Sequence, residues 1–316
     1  MKYSAENNNQ IVEKIIDFQK KYNVYDVKYN NINIWPIVVY VILSNTPTFK
    51  NTTKPFFVNI VYEIFSYLKI LYKKILDRKK ISNNTNCDIL FLTQPARRVK
   101  IGKKYFDRIT DPFIDALKNT NSKTETLEWT YEHDYKTPRF NQSEFIQNSM
   151  DIYLFFRLFK KDKYSYKFDI LKNDEFQEIL TLLKIDRKAF FAKLKFSCKI
   201  INILTEYFDK KIKQRQKLKY AFFYPHNGLV SFSFNLACKN NLVKTVEIQH
   251  GYISGFNISY NSYYKIDEYK ILPDSFWCWE ESVKRIIENW YEKKGYAPFV
   301  YKGGNLYNRF WKYPKL

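Results

Sequence analysis

Apolar residues recur at helical spacing over "NNQIVEKIIDFQKKY", and "INIWPIVVYVIL" is a short buried run broken by Pro36. Residues 56–80, "FFVNIVYEIFSYLKILYKKILDRKK", predict an apolar-rich helix ending in a basic cluster. Such a cluster suits a core helix whose cations meet its C-terminal dipole, and equally an in-plane membrane helix whose cations meet anionic headgroups. Residues 1–86 therefore read as a helical N-terminal region, with "ISNNTN" (81–86) as a linker.

From Cys87 the rhythm changes to short apolar runs alternating with helical stretches. "CDILFLT" (87–93), "ETLEWT" (125–130), "KYAFFYP" (219–225), "VKTVEIQ" (243–249), "DSFWCWE" (274–280) and "FVYKGG" (299–304) predict strands. "TDPFIDALKNT" predicts a helix with Thr110 as N-cap, Asp111 in its first turn and Pro112 near N1. A long helical stretch is expected over about 143–217, and further helices over "GLVSFSFNLACKNN" and "ESVKRIIENWYEKKG". This alternation predicts an α/β fold over 87–316: a Rossmann-like parallel sheet flanked by helices, with its ligand site outside the carboxyl ends of the strands.

That rule selects the candidate chemistry. The chain has three histidines and seven glycines, and two strands end alike, "FFYPHNG" on His226 and "VEIQHG" on His250. Each histidine is followed within two residues by a glycine that lets backbone approach a ligand, Gly228 or Gly251. "HNG" (His226, Asn227, Gly228) leads into a helix whose free N–H groups suit an anion. An imidazole that titrates near neutral pH can take a proton from an attacking hydroxyl, and His250 is the candidate base; His226 fits a structural role as well as a functional one. The loop "PARRVKIGKK" carries Arg97, Arg98, Lys100, Lys103 and Lys104 on the same expected edge, and arginine forks suit phosphate.

Composition narrows this further. The formal net charge of +21 favours nucleic acid, anionic lipid or phosphorylated small molecules, although a lysine-rich coding bias produces part of it. No nucleic-acid motif is present and the lysines are spread along the chain, so no specific nucleic-acid partner is expected. Cys87, Cys198, Cys238 and Cys278 form no C-x-x-C pair and read as reduced, buried thiols of a cytoplasmic protein. The polar start "MKYSAENNNQ" has no apolar signal core, and no run reaches the roughly 18 apolar residues of a bilayer span. Glu132, His133 and Asp134 are adjacent rather than spaced for one face, so no metal site is expected. Phosphate-loop, dinucleotide, nucleophile-elbow and D-x-D signatures are absent.

"VEIQHGYIS", "ILPDSFWCWEESVKRII" and "VYKGGNLY" together resemble bacterial surface-polysaccharide (capsule or O-antigen) glycosyltransferases of GT-B type. "NIWPIVVYVIL" and the segment from "DILFLTQPARRVK" to "DPFIDAL" fit the same pattern, so the resemblance runs from about residue 31 and is most specific over 243–280. The "QHG" strand end is more distantly similar to the "WHG" of polyglycerol-phosphate transferases, and capsule Kdo transferases have similar histidine-bearing loops. "WCWEE" departs from the family's glycine-containing strand end at Cys278 and Trp279. The resemblance implies that residues 87–316 are the acceptor-side domain of the N-terminal half, facing a donor-binding domain expected about where "NRFWKYPKL" ends.

It implies a metal-independent enzyme with no cofactor, taking a nucleotide-sugar and a lipid-linked or phosphorylated saccharide acceptor, peripheral on the inner face of the cytoplasmic membrane. His250 would be the general base; Gln249, Gly251, Tyr252, His226, Asn227, Gly228, Arg97 and Arg98 would bind substrate. Two other readings stay open: a glycerophosphate or polyol-phosphate transferase on the same scaffold, and a non-catalytic basic module for nucleic acid or anionic membrane.

Overall fold

The computed structural model describes residues 5–30, 32–45, 86–130, 136–159, 166–254, 257–261, 263, 269–292 and 299–312. The expected helix at 56–80, all but the last residue of the linker 81–86, and the run Glu132–Asp134 lie outside the described residues.

Seven strands form one sheet: β1 (Ile89–Thr93), β2 (Thr124–Glu128), β3 (Glu144–Phe145), β4 (Tyr220–Phe223), β5 (Lys244–Ile248), β6 (Ser275–Cys278) and β7 (Phe299–Lys302). Their order across the sheet is β7-β6-β5-β4-β1-β2-β3, and every neighbouring pair is parallel. The order reverses direction between β1 and β4, the switch point of a doubly wound sheet, where the loops leaving the two strands diverge and open a crevice. All five residues of β1 are buried, which is why its sequence is a continuous apolar run rather than an alternating one.

The helices are α1 (Ala5–Lys21), α2 (Trp35–Asn45), α3 (Asp111–Leu117), α4 (Gln147–Leu158), α5 (Asp174–Leu182), α6 (Arg187–Lys213), α7 (Leu229–Asn240), α8 (Ile258–Asn261), α9 (Glu281–Glu292) and α10 (Leu306–Lys312). Alternate strand residues point to opposite faces. Leu90, Leu92, Leu127, Ala221 and Phe223 meet α4, α6 and α7 through Met150, Phe208 and Phe234. Ile89, Phe91 and Ile248 meet Phe113 and Ile114 of α3, with Leu306 of α10 packed alongside. A third cluster joins α1, α2, α5, α6, α7 and α9, so Ile15, Trp35, Phe176, Phe190, Phe232 and Ile287 share one continuous core.

Two stretches differ from their sequence expectation. The basic loop after β1 is instead an antiparallel ribbon, Arg98–Ile101 against Lys104–Asp107, turning at Gly102 with φ +57°. The expected helix over 143–217 is broken into β3, α4, α5 and α6; Asn173 caps α5 through Phe176 N and Asp186 caps α6 through Ala189 N, each marking a true start. Thr110 does precede α3, but its hydroxyl caps nothing; Asp107 Oδ1 accepts from Ile109 N (2.8 Å) and Thr110 N (3.1 Å) instead. The four cysteines are buried and none of them forms a disulfide among the described residues.

At the β6–β7 edge, backbone lies against an indole. A Cβ built on Gly303 would fall 1.8 Å from the Trp277 ring, whose Nε1 donates to Gly304 O. Gly303→Ala is therefore expected to lower stability by about 1–3 kcal/mol by overpacking. Urea denaturation checks this, and a loss below about 0.5 kcal/mol would contradict it.

Candidate functional site at the carboxyl edge of the sheet

The carboxyl ends of β1, β4 and β5 bring most of the candidate residues to one edge. Glu247, the fourth residue of β5, is the charge at its centre; it is 1 % exposed and sits beside Phe223 and Phe276 in register. A carboxylate taken out of water must be compensated by donors or cations. His226 Nδ1 lies 2.7 Å from its Oε2, while Tyr260 Oη (2.8 Å) and His226 N (3.3 Å) donate to its Oε1.

The second ring nitrogen of His226 faces Ser259 O at 2.8 Å, a carbonyl that can only accept. Nε2 therefore carries a hydrogen, and the ring pairs with Glu247 as an imidazolium. Burial opposes that charge, but the Glu247 carboxylate outweighs it and holds the His226 pKa above its ordinary value. The Glu247 pKa is held below its ordinary value against its own burial, first by the His226 charge. The pair's contribution to stability follows with a definite sign. The His226 part is complete below the ordinary histidine value of 6.5 and is lost as pH rises through the raised one; the Glu247 part is complete above 4.5 and is lost as pH falls through the lowered one. Asn227 Nδ2 donates to Ser259 Oγ (2.8 Å), and Gly228 is the N-cap of α7. The "HNG" turn is thus fastened to the segment 257–261, with His226 only 2 % exposed and committed at both nitrogens.

His250 has a different environment on the same carboxylate. Its Nδ1 lies 3.9 Å from Glu247 Oε1, beyond hydrogen-bond distance, and is buried with no hydrogen-bond partner among the described residues. Its ring stacks on Tyr224, centroids 5.8 Å apart, and the side chain is 20 % exposed. Burial lowers the His250 pKa; the nearby Glu247 carboxylate opposes this, while the Arg97 and His226 charges reinforce it. Held below its ordinary value of 6.5, the imidazole is neutral at neutral pH, with Nδ1 turned inward.

The flanking residues leave room for one. Gln249 is buried, donates to Gly251 O (3.0 Å) and accepts from Trp279 N (2.8 Å), which fixes the turn rather than contacting solvent. Nothing lies within 4 Å of a Cβ built on Gly251, and its φ is not in the left-handed region, so the protein's own packing does not require glycine there. Tyr252 is 86 % exposed between Gly251 and the buried Ile253.

The two adjacent arginines part company. Arg98 enters the structure, its side chain 1 % exposed: Nε and Nη2 bond Glu128 Oε1 (3.3 Å) and Oε2 (3.0 Å), and Nη1 donates to Tyr105 O (3.3 Å). Arg139 Nε (2.5 Å) and Ser143 Oγ (2.7 Å) also donate to Glu128 Oε2. Its fork is therefore spent, whereas the Arg97 side chain makes no hydrogen bond or ion pair among the described residues and acts on His250 through its charge. Lys100, Lys103 and Lys104 are exposed along the ribbon. Asp107 Oδ2 accepts from Tyr224 Oη (3.0 Å), so the ring under His250 is held by the same buried network. There Asp111 is pushed up to about 7 by burial and by the Asp107 charge.

Sequence reasoning missed Glu247, Tyr224, Ser259 and Tyr260. Glu247 had a signal, a lone carboxylate inside the apolar run "TVEIQ", whereas Ser259 and Tyr260 arrive from a connection with no regular pattern. A cavity of about 640 Å³ lies elsewhere, lined among others by Lys28, Ile32, Asn202, Asp209 and Asn240. Compared with protein-family models, curated proteins and solved structures, the chain matches none.

Arg98→Ala would leave Glu128 buried beside Arg139 alone and is expected to cost about 3–5 kcal/mol, whereas Arg97→Ala should stay within about 0.5 kcal/mol. Chemical denaturation of the two variants distinguishes them; equal losses would contradict the separation of the two side chains.

Proposed function

We propose that this chain is the acceptor-side part of a metal-independent GT-B glycosyltransferase, in which a helical N-terminal region precedes the sheet domain. It transfers a sugar from a nucleotide-sugar to a lipid-linked or phosphorylated saccharide of a bacterial surface polysaccharide, on the cytoplasmic side of the membrane. The observation that carries this reading is His250: a neutral imidazole at the carboxyl edge, beside the open space at Gly251, with a buried carboxylate behind its inner nitrogen. The "QHG" resemblance supports the same assignment.

In the reaction, His250 Nε2 takes the proton of the acceptor hydroxyl as that oxygen bonds to the anomeric carbon. The bond from that carbon to the nucleotide's terminal phosphate breaks, and the nucleoside diphosphate leaves with the electron pair. The imidazolium that forms is stabilised by Glu247, which is already deprotonated by its pairing with His226. Gly251 admits the acceptor, Tyr252 packs on it, Gln249 fixes the turn, and Arg97 meets acceptor phosphate. Asn227, Gly228 and His226 hold the neighbouring turn in place.

Nucleotide release from a panel of nucleotide-sugars, measured on the full-length natural chain, tests this. His250→Ala should lower turnover by about 10²–10⁴-fold. The acid limb of kcat/KM should fall at a pH below histidine's ordinary 6.5, because protonation of a base with a lowered pKa is delayed to more acidic solution. Gly251→Ala should leave stability unchanged while raising the acceptor KM about tenfold or more. Turnover of His250→Ala within a few-fold of wild type would remove the base assignment. Release of CMP from CDP-polyols alone would point to the polyol-phosphate reading.

A further inference from the structure

The cavity of about 640 Å³ lies one helix length away from the carboxyl edge of the sheet. α7 leaves that edge at its N-cap Gly228 and ends at Asn240, which lines the cavity, and twelve residues of helix span about 18 Å. Asn202, Glu206 and Asp209, spaced i, i+4 and i+7 on one face of α6, form a second wall. The antiparallel hairpin 28–33 brings Lys28 and Asn30 to a third.

Small-molecule sites are commonly of this size but mostly apolar, so a polar lining points to a polar ligand. Here the apolar contribution is Tyr25, Ile32 and Leu236, and the Tyr25 ring already stacks on Tyr269, centroids 5.5 Å apart. The two carboxylates are matched from within the protein. Glu206 pairs with Arg157 and accepts from Tyr153 Oη (3.2 Å); Asp209 pairs with Lys213 (2.6 Å) and accepts from Asn241 Nδ2 (2.6 Å). By contrast, the side chains of Asn30, Asn202 and Asn240 make no hydrogen bond among the described residues, and the Lys28 and Lys270 ammonium groups meet no carboxylate there. A carboxamide donates through its NH2 and accepts through its oxygen, which matches the neighbouring hydroxyls of a sugar ring, each both donor and acceptor. Two unmatched ammonium groups add a preference for negative charge. A bare anion would use the ammonium groups and leave the carboxamides to water.

We infer that this cleft binds an acidic saccharide, with Asn30, Asn202 and Asn240 taking its hydroxyls and Lys28 and Lys270 its negative groups. The site is separate from the His250 edge and stands without the transferase reading; under that reading it holds the polymer being made. Ligand-observed NMR titration of the full chain tests it with tetragalacturonate, with maltotetraose as the neutral counterpart and with UDP. Tetragalacturonate should bind, more weakly as salt is added, and maltotetraose about tenfold or more weakly still. Asn202→Ala/Asn240→Ala should weaken tetragalacturonate binding about tenfold or more, since two hydrogen bonds are lost, while melting at the wild-type temperature. Lys28→Gln/Lys270→Gln should bring the acidic and neutral tetrasaccharides to within about threefold of each other. His250→Ala should bind tetragalacturonate as the wild type does.

No binding of tetragalacturonate, or equal binding of both tetrasaccharides by the wild type, overturns the inference. Binding that survives both cleft variants but is lost in His250→Ala also overturns it, because the saccharide would then sit at the carboxyl edge. UDP binding that the cleft variants abolish, with no saccharide bound, makes the cleft a nucleotide site instead. Intact saccharide binding in a chain that turns over no donor fails the glycosyltransferase reading alone.

Discussion

A carboxylate placed inside a parallel sheet has to find cations and donors or lose its charge, and Glu247 finds them on both sides of β5. His226, Tyr260 and the His226 amide supply its hydrogen bonds, and His250 stands just beyond reach. The turn after β4 and the segment around α8 are held to β5 through this one group, through His226 and Tyr260. For the second imidazole, burial and the Arg97 and His226 charges outweigh the pull of the Glu247 carboxylate, so its pKa falls below the ordinary value. Beside one carboxylate, one histidine is thus a fixed cation and the other a neutral ring.

The opposite face of the edge depends on a second buried carboxylate. Glu128 pairs with both Arg98 and Arg139, and this holds the ribbon 98–107 against the sheet. The ribbon positions Asp107 under Tyr224, and Tyr224 supports the His250 ring. Arg97, one residue before the ribbon, is left on the outside. Ion pairs of this kind contribute little net stability over apolar packing, but breaking one strands a charge, so they fix geometry rather than strengthen the fold.

The sheet was legible in the sequence because its strands are short, mostly apolar runs: "ILFLT", buried throughout, and "YAFF" and "SFWC", buried at alternate residues, all became strands. Once the strands were placed, His226 and His250 fell just past the carboxyl ends of β4 and β5, which is where the structure has them. The difference between Arg97 and Arg98 was not legible. Which of two adjacent residues turns inward is set by register, and Arg98 is fixed by pairing with Asp107 across a ribbon that reads as a polar loop. The partition of the two histidines was equally hidden, since it depends on Ser259 and Tyr260 arriving from a distant connection. The interruptions between β3 and α6 were masked by a helical pattern that runs through Asn173 and Asp186 without a break in hydrophobicity.

The most direct test of this arrangement is an NMR titration of the imidazoles, following the ring nitrogens of His226 and His250 in one sample, with His226→Gln and His250→Gln for assignment. The account predicts that His226 titrates above 6.5, with both nitrogens protonated at neutral pH, and that His250 titrates below 6.5 as a neutral ring. Two histidines titrating together near their ordinary value, or His250 as the one that stays charged, would contradict it.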